Sequence, residues 1–202
     1  MTQGYTSTNI AATTAAVTNR LVASANMKVG TYTLANGGVA VWQGGFLCTV
    51  THSQVGGVTD TLGTVVFVGK DLFGLPLTET LTPVSASTVT GSKIFRSVTS
   101  VTGVGWVINT GNDTIVAGVA AGSYAGQGGG HLWSVTVNNA VATLITISHG
   151  GGTIAVIPAS QAAGTEYIYD LPYSGYLKIA TTDTNDVTAV HTLGVPSSYA
   201  MA

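Results

Sequence analysis

The sequence predicts an all-β chain: two small β-sandwich (jelly-roll or immunoglobulin-like) or barrel domains with an extended N-terminal arm. Three observations carry this. Short runs in which apolar residues alternate with Thr and Ser recur along the chain, as in WSVTV at 133–137, where Trp133, Val135 and Val137 alternate with Ser134 and Thr136, the period of two expected of half-buried strands. Turn-forming steps punctuate them, drawn from 27 glycines and from Asn-Gly, Asp-containing and Asn-Asn sequences, as in a sandwich or barrel. No segment carries a ten-residue helical apolar stripe.

Residues 1–30 are rich in Thr and Ala. Ile10, Val17 and Leu21 would share one face of a short helix, but the β-branched Thr and Val around them make that helix poor in isolation. The segment reads as an arm whose order depends on what it touches, with a frayed terminus as the alternative. Strand signals start near Gly30: TYTLA, then VAVWQ after Asn36-Gly37-Gly38, then GFLCTVTHS. Asn-Gly between alternating runs is a strong hairpin signal.

The next pair, TVVFVGK and PLTETLT, is joined through Asp71, Leu72, Phe73 and Gly74. Asp suits a turn by bonding to nearby backbone, and Gly by its permissive φ. Pro76 opens its strand, where no ladder hydrogen is needed. Leu77 and Leu81 share a face with Glu79 between them; a glutamate there marks a strand end or a pairing with Lys70 or Lys93. Leu77 and Phe95 are expected as core residues on neighbouring strands. KIFRSVTSV, GWVIN and TIVAGVA close a first domain, 31–120.

AAGSYAGQGGG at 120–130 is a sharp change in composition. Gly- and Ser-rich segments behave as flexible connectors, so 121–130 is assigned as a linker. A second domain, 131–195, follows with HLWSVTV, LITISH, GTIAVI, EYIYDL, YLKIATT and DVTAVHTLG, and 196–202 is a tail. Asn138-Asn139, His149–Gly152, Pro172–Gly175 and Asp183–Asp186 mark the turns between them.

Composition excludes several functions. Only 7% of the residues are charged, against roughly 25% in an ordinary domain. The longest apolar runs are a few residues, such as Val65–Val68, far below the ~20 of a membrane-spanning helix. The scattered aromatics form no paired girdles of the membrane-barrel kind. Six Lys and Arg and a net charge of −2 provide no basic footprint for nucleic acid. Cys48, alone and set in FLCTV, reads as a small buried hydrophobe rather than a reactive thiol. MTQGYTSTNI has neither the basic nor the apolar region of a secretory signal, so synthesis in the cytosol is expected.

Candidate chemistry is equally sparse. His52, His131, His149 and His191 lack metal-ligand spacing. No Gly-x-Ser-x-Gly nucleophile elbow is present. Gly128–Gly130 and Gly150–Gly152 lack the Lys-Ser/Thr that completes a phosphate loop. Asp60, Asp71, Asn112 and Asp113 do not form an alternating calcium loop. Glu79 and Glu166, the only glutamates, fall in different domains, so a facing carboxylate pair for glycoside hydrolysis is not expected. The sequence therefore predicts no enzyme, no cofactor and no metal.

Charge normally guards strand edges against edge-to-edge pairing, and neutral strand-prone segments aggregate. So few charges predict a chain covered by neighbours, either a homo-oligomer or part of a larger assembly. A monomer shielded by Thr, Ser and Gly alone is the alternative.

The run Val68-Gly69-Lys70-Asp71-Leu72-Phe73-Gly74-Leu75-Pro76-Leu77-Thr78-Glu79-Thr80, followed by Lys93-Ile94-Phe95-Arg96-Ser97-Val98-Thr99-Ser100-Val101, resembles virion structural proteins of tailed bacteriophages. They show a similar G-x-D-x-x-G-x-x-L-x-E run with a downstream F-x-x-V-x-x-V. The stretch from HLWSVTVNN to YLKIATTDTNDVTAV resembles their small β-sandwich modules. The resemblance implies a capsid decoration (cement) or related head-surface protein in the virion. Its expected partners are the major capsid protein or other virion proteins, with a homo-oligomer, a trimer by analogy. On that reading Tyr5 to Leu21 would be a contact arm that includes Ile10 and Val17. Trp42, Trp106 and Trp133 would be core or interface anchors. A tail or baseplate module that recognises host glycans or proteins is the rival, with Tyr124, Tyr167, Tyr169, Tyr173 and Tyr176 as a sugar-stacking face.

Overall fold

Thr-rich alternating runs cannot satisfy their backbone within one strand, and in this chain they do so in four antiparallel sheets of four strands each. The structure, a computed structural model, describes residues 4–10, 17–35, 44–55, 60–109, 112–181 and 185–194. The chain forms two compact units. Unit 1 comprises Met1–Ala15, Trp42–Gly45 and Ala121–Ala202; unit 2 comprises Ala16–Val41 and Phe46–Ala120.

With strands numbered in chain order, one sheet of unit 1 runs β1 (Thr6–Ile10), β16 (Val187–His191), β11 (Gly130–Val137), β14 (Glu166–Tyr173). The other runs β10 (Ser123–Gln127), β15 (Tyr176–Thr181), β12 (Ile145–His149), β13 (Gly152–Ile157). Alternation supplies the core. Ile10, Leu132, Val135, Val137, Val187 and Ala189 of the first sheet and Ile145, Ile147, Leu177 and Ile179 of the second form one buried cluster. Each of the larger aliphatic side chains stabilises by about 1.5–3 kcal/mol on burial.

In unit 2, β2 (Val17–Asn26), β9 (Thr114–Val119), β4 (Phe46–Ser53) and β7 (Thr88–Phe95) make one sheet. β3 (Gly30–Thr31), β8 (Ser97–Val104), β5 (Thr64–Lys70) and β6 (Pro76–Leu81) make the other. Phe67, Phe95, Val50, Val65, Val101 and Ile115 are fully enclosed. Both units fit β-sandwich architecture, and among the described residues no sheet closes into a barrel.

The β5–β6 hairpin forms as its residues dictate. Asp71 Oδ1 accepts the amides of Phe73 and Leu75, each at 2.9 Å, and Gly74 takes φ +82°. KIFRSVTSV behaves differently from its reading as one strand: it breaks at Arg96, so that β7 ends in one sheet and β8 begins in the other. The break sits against β5, where the Arg96 amide donates to the Lys70 carbonyl at 2.7 Å. A Cβ on Gly69 would collide with the Ser97 carbonyl, so this corner needs a glycine.

Glu79 explains the second corner. β6 and β7 are consecutive in the chain but are edge strands of different sheets. The β4–β7 register shifts between Leu47 and Thr49, and opposite that shift Glu79 Oε1 accepts the Ser92 and Lys93 amides at 2.7 and 3.0 Å. Lys93 also donates through Nζ to the Thr78 carbonyl at 2.7 Å. Glu79 is therefore a buried backbone clamp and not a strand end. Phe95 is core as expected, whereas Leu77 is half-buried, and their strands are not sheet neighbours.

Two assignments on the N-terminal side and at the centre need correction. Residues 6–10 and 17–26 are neither a helix nor a loose arm: β1 pairs with β16 and β2 with β9. β-branched residues favour the pleated, half-buried setting, and the shared helical face was a coincidence of spacing, since Ile10 enters unit 1 and Leu21 unit 2. Residues 121–130 are not a connector either, because Ser123–Gln127 is a strand with its first four residues buried. Its glycines reflect close packing: a Cβ on Gly126 or Gly130 would run into the Tyr173 ring. GWVIN contributes only an isolated bridge, Val107 to Thr61. The Asn36-Gly37-Gly38 turn, VAVWQ with Trp42, and the tail 196–202 lie outside the described residues.

Candidate docking face

The seven residues singled out as contacts divide sharply. Ile10, Leu21 and Trp106 are buried at 2%, 1% and 5% exposure, and Val17 is half-buried opposite Val119. The first three are core residues, which for Trp106 is one of the two roles expected of it, and Val17 is a ladder residue on an edge strand. Tyr5 and Trp133 are exposed at 57% and 41%, and their rings meet edge to face at 5.8 Å. The structure thus brings two of the seven together at the surface. Trp42 lies outside the described residues.

Trp133 reaches the surface because of a register shift. Both ladders of β11 slip between Leu132 and Ser134, and such a bulge re-aims a side chain. Leu132 and Val135 stay in the core. Beside the bulge, register aligns Ser7, Val190, Ser134 and Ile168 across all four strands of the sheet. Ile168 is 67% exposed and Ser134 is buried. The next row is Asn9, Thr188, Thr136 and Glu166. Asn9 and Asn138 both donate to Asp186 Oδ1, at 3.0 and 2.7 Å, which fixes the polar margin. None of these residues is Lys or Arg. Sequence reading missed Ile168 and Val190; alternation in EYIYDL and DVTAV carried the signal, but not which face is covered.

The tyrosines do not make a second face. Tyr124 and Tyr173 are buried. Tyr167 and Tyr169 stack at 6.3 Å and pack against the unit 1 core. Burial pushes the hydroxyls of Tyr124, Tyr169 and Tyr173 up to about 12. Tyr173 donates to the Thr192 carbonyl. Tyr124 and Tyr173 are thus core residues, while Tyr167, Tyr169 and Tyr176 are half-buried.

The buried His52, Asp60 and Asp113 bond to one another and to nearby backbone amides. His52 Nδ1 accepts the Ala86 amide at 3.1 Å, so Nε2 carries the proton and donates to Asp113 Oδ2 at 3.1 Å. Asp113 Oδ1 accepts the Val55 amide at 2.8 Å, and Asp60 accepts the amides of Asn109 and Asp113. With both ring nitrogens engaged, His52 has no nitrogen left to activate a nucleophile. His149 bonds Ser174 Oγ at 3.0 Å through Nδ1, and His131 Nε2 stands 3.2 Å from Asp170. Cys48 is fully buried, and burial, with the Glu79 carboxylate adding to it, pushes the thiol well above its usual range. Among the described residues no group of three or more His, Cys, Asp or Glu is placed to hold a metal ion.

His191 carries a pH dependence. Its Nδ1 donates to the Thr192 carbonyl at 3.2 Å, and its Nε2 accepts from Thr8 Oγ1 at 2.9 Å. Burial pulls its pKa below the ordinary 6.5, against the weaker upward pull of the Thr192 carbonyl. The unfolded chain therefore takes up this proton first as pH falls. The neutral imidazole's contribution is whole above about pH 6.5 and declines as pH drops from there through the lower folded-state value. Denaturant titrations of wild type and His191→Gln at pH 7.5 and 5 are expected to show a smaller acid loss in the variant. An equal loss in both would remove His191 as the source.

The described residues thus define an all-β protein of two sandwich-like units, with one exposed aromatic–aliphatic sheet face. No protein-family model, curated protein or solved structure matches the chain.

Proposed function

We propose that this chain is a non-enzymatic structural protein of a tailed-phage particle. It binds the capsid surface as a decoration or cement protein, and the Trp133 face of unit 1 is its docking surface. The observation that carries this reading is the exposed Tyr5–Trp133 pair beside Ile168, set on a four-stranded sheet with no cation in its two flanking rows. Aromatic anchors on a rigid element lose little conformational entropy on binding and dominate interfaces. The resemblance of residues 68–80 and 93–101 to phage virion proteins supplies the partner. The low charge of the chain fits a protein whose surfaces are covered in an assembly.

Trp133→Ala is the direct test, since Trp133 is exposed and outside the core. Affinity for assembled particles is expected to fall about thirtyfold, the equivalent of a hot spot of about 2 kcal/mol, with the unfolding midpoint unchanged. Raising the salt to 0.5 M is expected to leave wild-type occupancy intact, because few ion pairs are there to be screened. Wild-type occupancy for Trp133→Ala and Ile168→Ala would reject this face. Deleting residues 2–21 is not an equivalent test, because it removes β1 and half of β2 from their sheets.

A further inference from the structure

β1 is the part of unit 1 most remote from it in the chain. After Ile10 the chain builds most of unit 2, and the bulk of unit 1 begins only at Ala121. Yet β1 completes the unit. It is an edge strand whose one ladder partner is β16, through five register pairs from Thr6–His191 to Ile10–Val187. Its contacts are specified residue by residue. Ile10 enters the core, Thr8 satisfies the buried His191 imidazole, and Asn9 reaches Asp186.

The slot beside β16 therefore recognises one short sequence, and every copy of the chain carries it. Neither strand guards the pairing: TSTNI and VTAVH hold no Lys, Arg, Asp, Glu or Pro, the residues that blunt strand edges. A strand joined to its own unit only through another folded unit makes the same contacts when a second copy supplies it. We propose that the β16 slot is a strand-acceptor site filled by β1 of a second copy of this chain. The donor's Tyr5 then meets the acceptor's Trp133, so the exposed aromatic pair is built by two molecules.

The test is disulfide trapping at Ser7 and Val190, which are register partners across the β1–β16 ladder. Ser7→Cys and Val190→Cys chains carrying different tags are co-expressed and oxidised while folded; Cys48 is fully buried and stays in place. Exchange is expected to yield a disulfide-linked heterodimer as the main product, and covalent multimers from the double variant Ser7→Cys/Val190→Cys. A double variant that closes only within single chains, with no cross-link between the single variants, overturns the proposal. Light scattering on the unmodified chain gives an independent reading: a multimer is expected, and a monomer mass at every concentration overturns it. Trp133→Ala is expected to leave the cross-link in place, so that failure of docking and failure of exchange are read separately.

Discussion

Asp113→Ala is expected to destabilise unit 2 by about 3–6 kcal/mol, since two donors lose a charged acceptor worth about 1.5–3 kcal/mol each. Those donors are His52 Nε2 and the Val55 amide, and both His52 and Asp113 are sealed from solvent. The network reaches further than one pair. His52 sits on β4 and receives the Ala86 amide from the β6–β7 connection, while the Asp113 backbone donates to Asp60. Ala86 holds φ +51°, a conformation costly for a residue with a side chain, so the bond to His52 helps to hold a strained turn. Asp113→Asn, which keeps one carbonyl acceptor, is expected to fall between wild type and Asp113→Ala. Urea midpoints at pH 7.5 provide the measurement. A loss below about 1 kcal/mol for Asp113→Ala, the worth of one ordinary hydrogen bond, would show that the turns hold without the network.

Glu79→Ala is expected to cost nearly as much, about 2–5 kcal/mol, from leaving two partly buried amides without an acceptor. The alternative cause is the cavity, and Glu79→Leu separates the two. Leucine restores most of the volume but accepts no hydrogen bond, so it is expected to be as damaging as alanine. Glu79→Gln keeps the Oε1 acceptor for Ser92 and Lys93 and is expected to recover most of the loss. Rescue by leucine and not by glutamine would mean that Glu79 acts by packing. Gly91→Ala attacks the same clamp from the facing side, because a Cβ there would strike the Glu79 carboxylate.

These clamps give physical content to the run from Val68 to Thr80. Gly69 allows β5 to approach Ser97, Asp71 and Gly74 make the hairpin turn, and Glu79 ties β6 to the amides of β7. Every one of these positions builds the corner of a sandwich. The run therefore bears on how unit 2 is constructed, whereas the proposed docking rests on Trp133 in unit 1. The histidines follow the same logic, since their partners are backbone amides, carbonyls, hydroxyls and single carboxylates.

Composition and alternation alone determined that the chain is all-β, that β5 and β6 are joined by an Asp71–Gly74 turn, and that His149–Gly152 turns β12 into β13. Each of these is a local matter: side chains two residues apart share a face, and a turn is decided by the residues within it. Only the tertiary structure decided that residues 6–10 and 17–26 are strands of different units. It also decided that Ser123–Gln127 is buried, that Trp133 is exposed while Trp106 is not, and that Glu79 faces two amides. The physical reason is range. Thr8 meets His191 across 183 positions, and the glycines at 126 and 130 make sense only once Tyr173 has folded against them. Whether a face is covered is a property of what lies opposite it, and no window along the chain contains both sides.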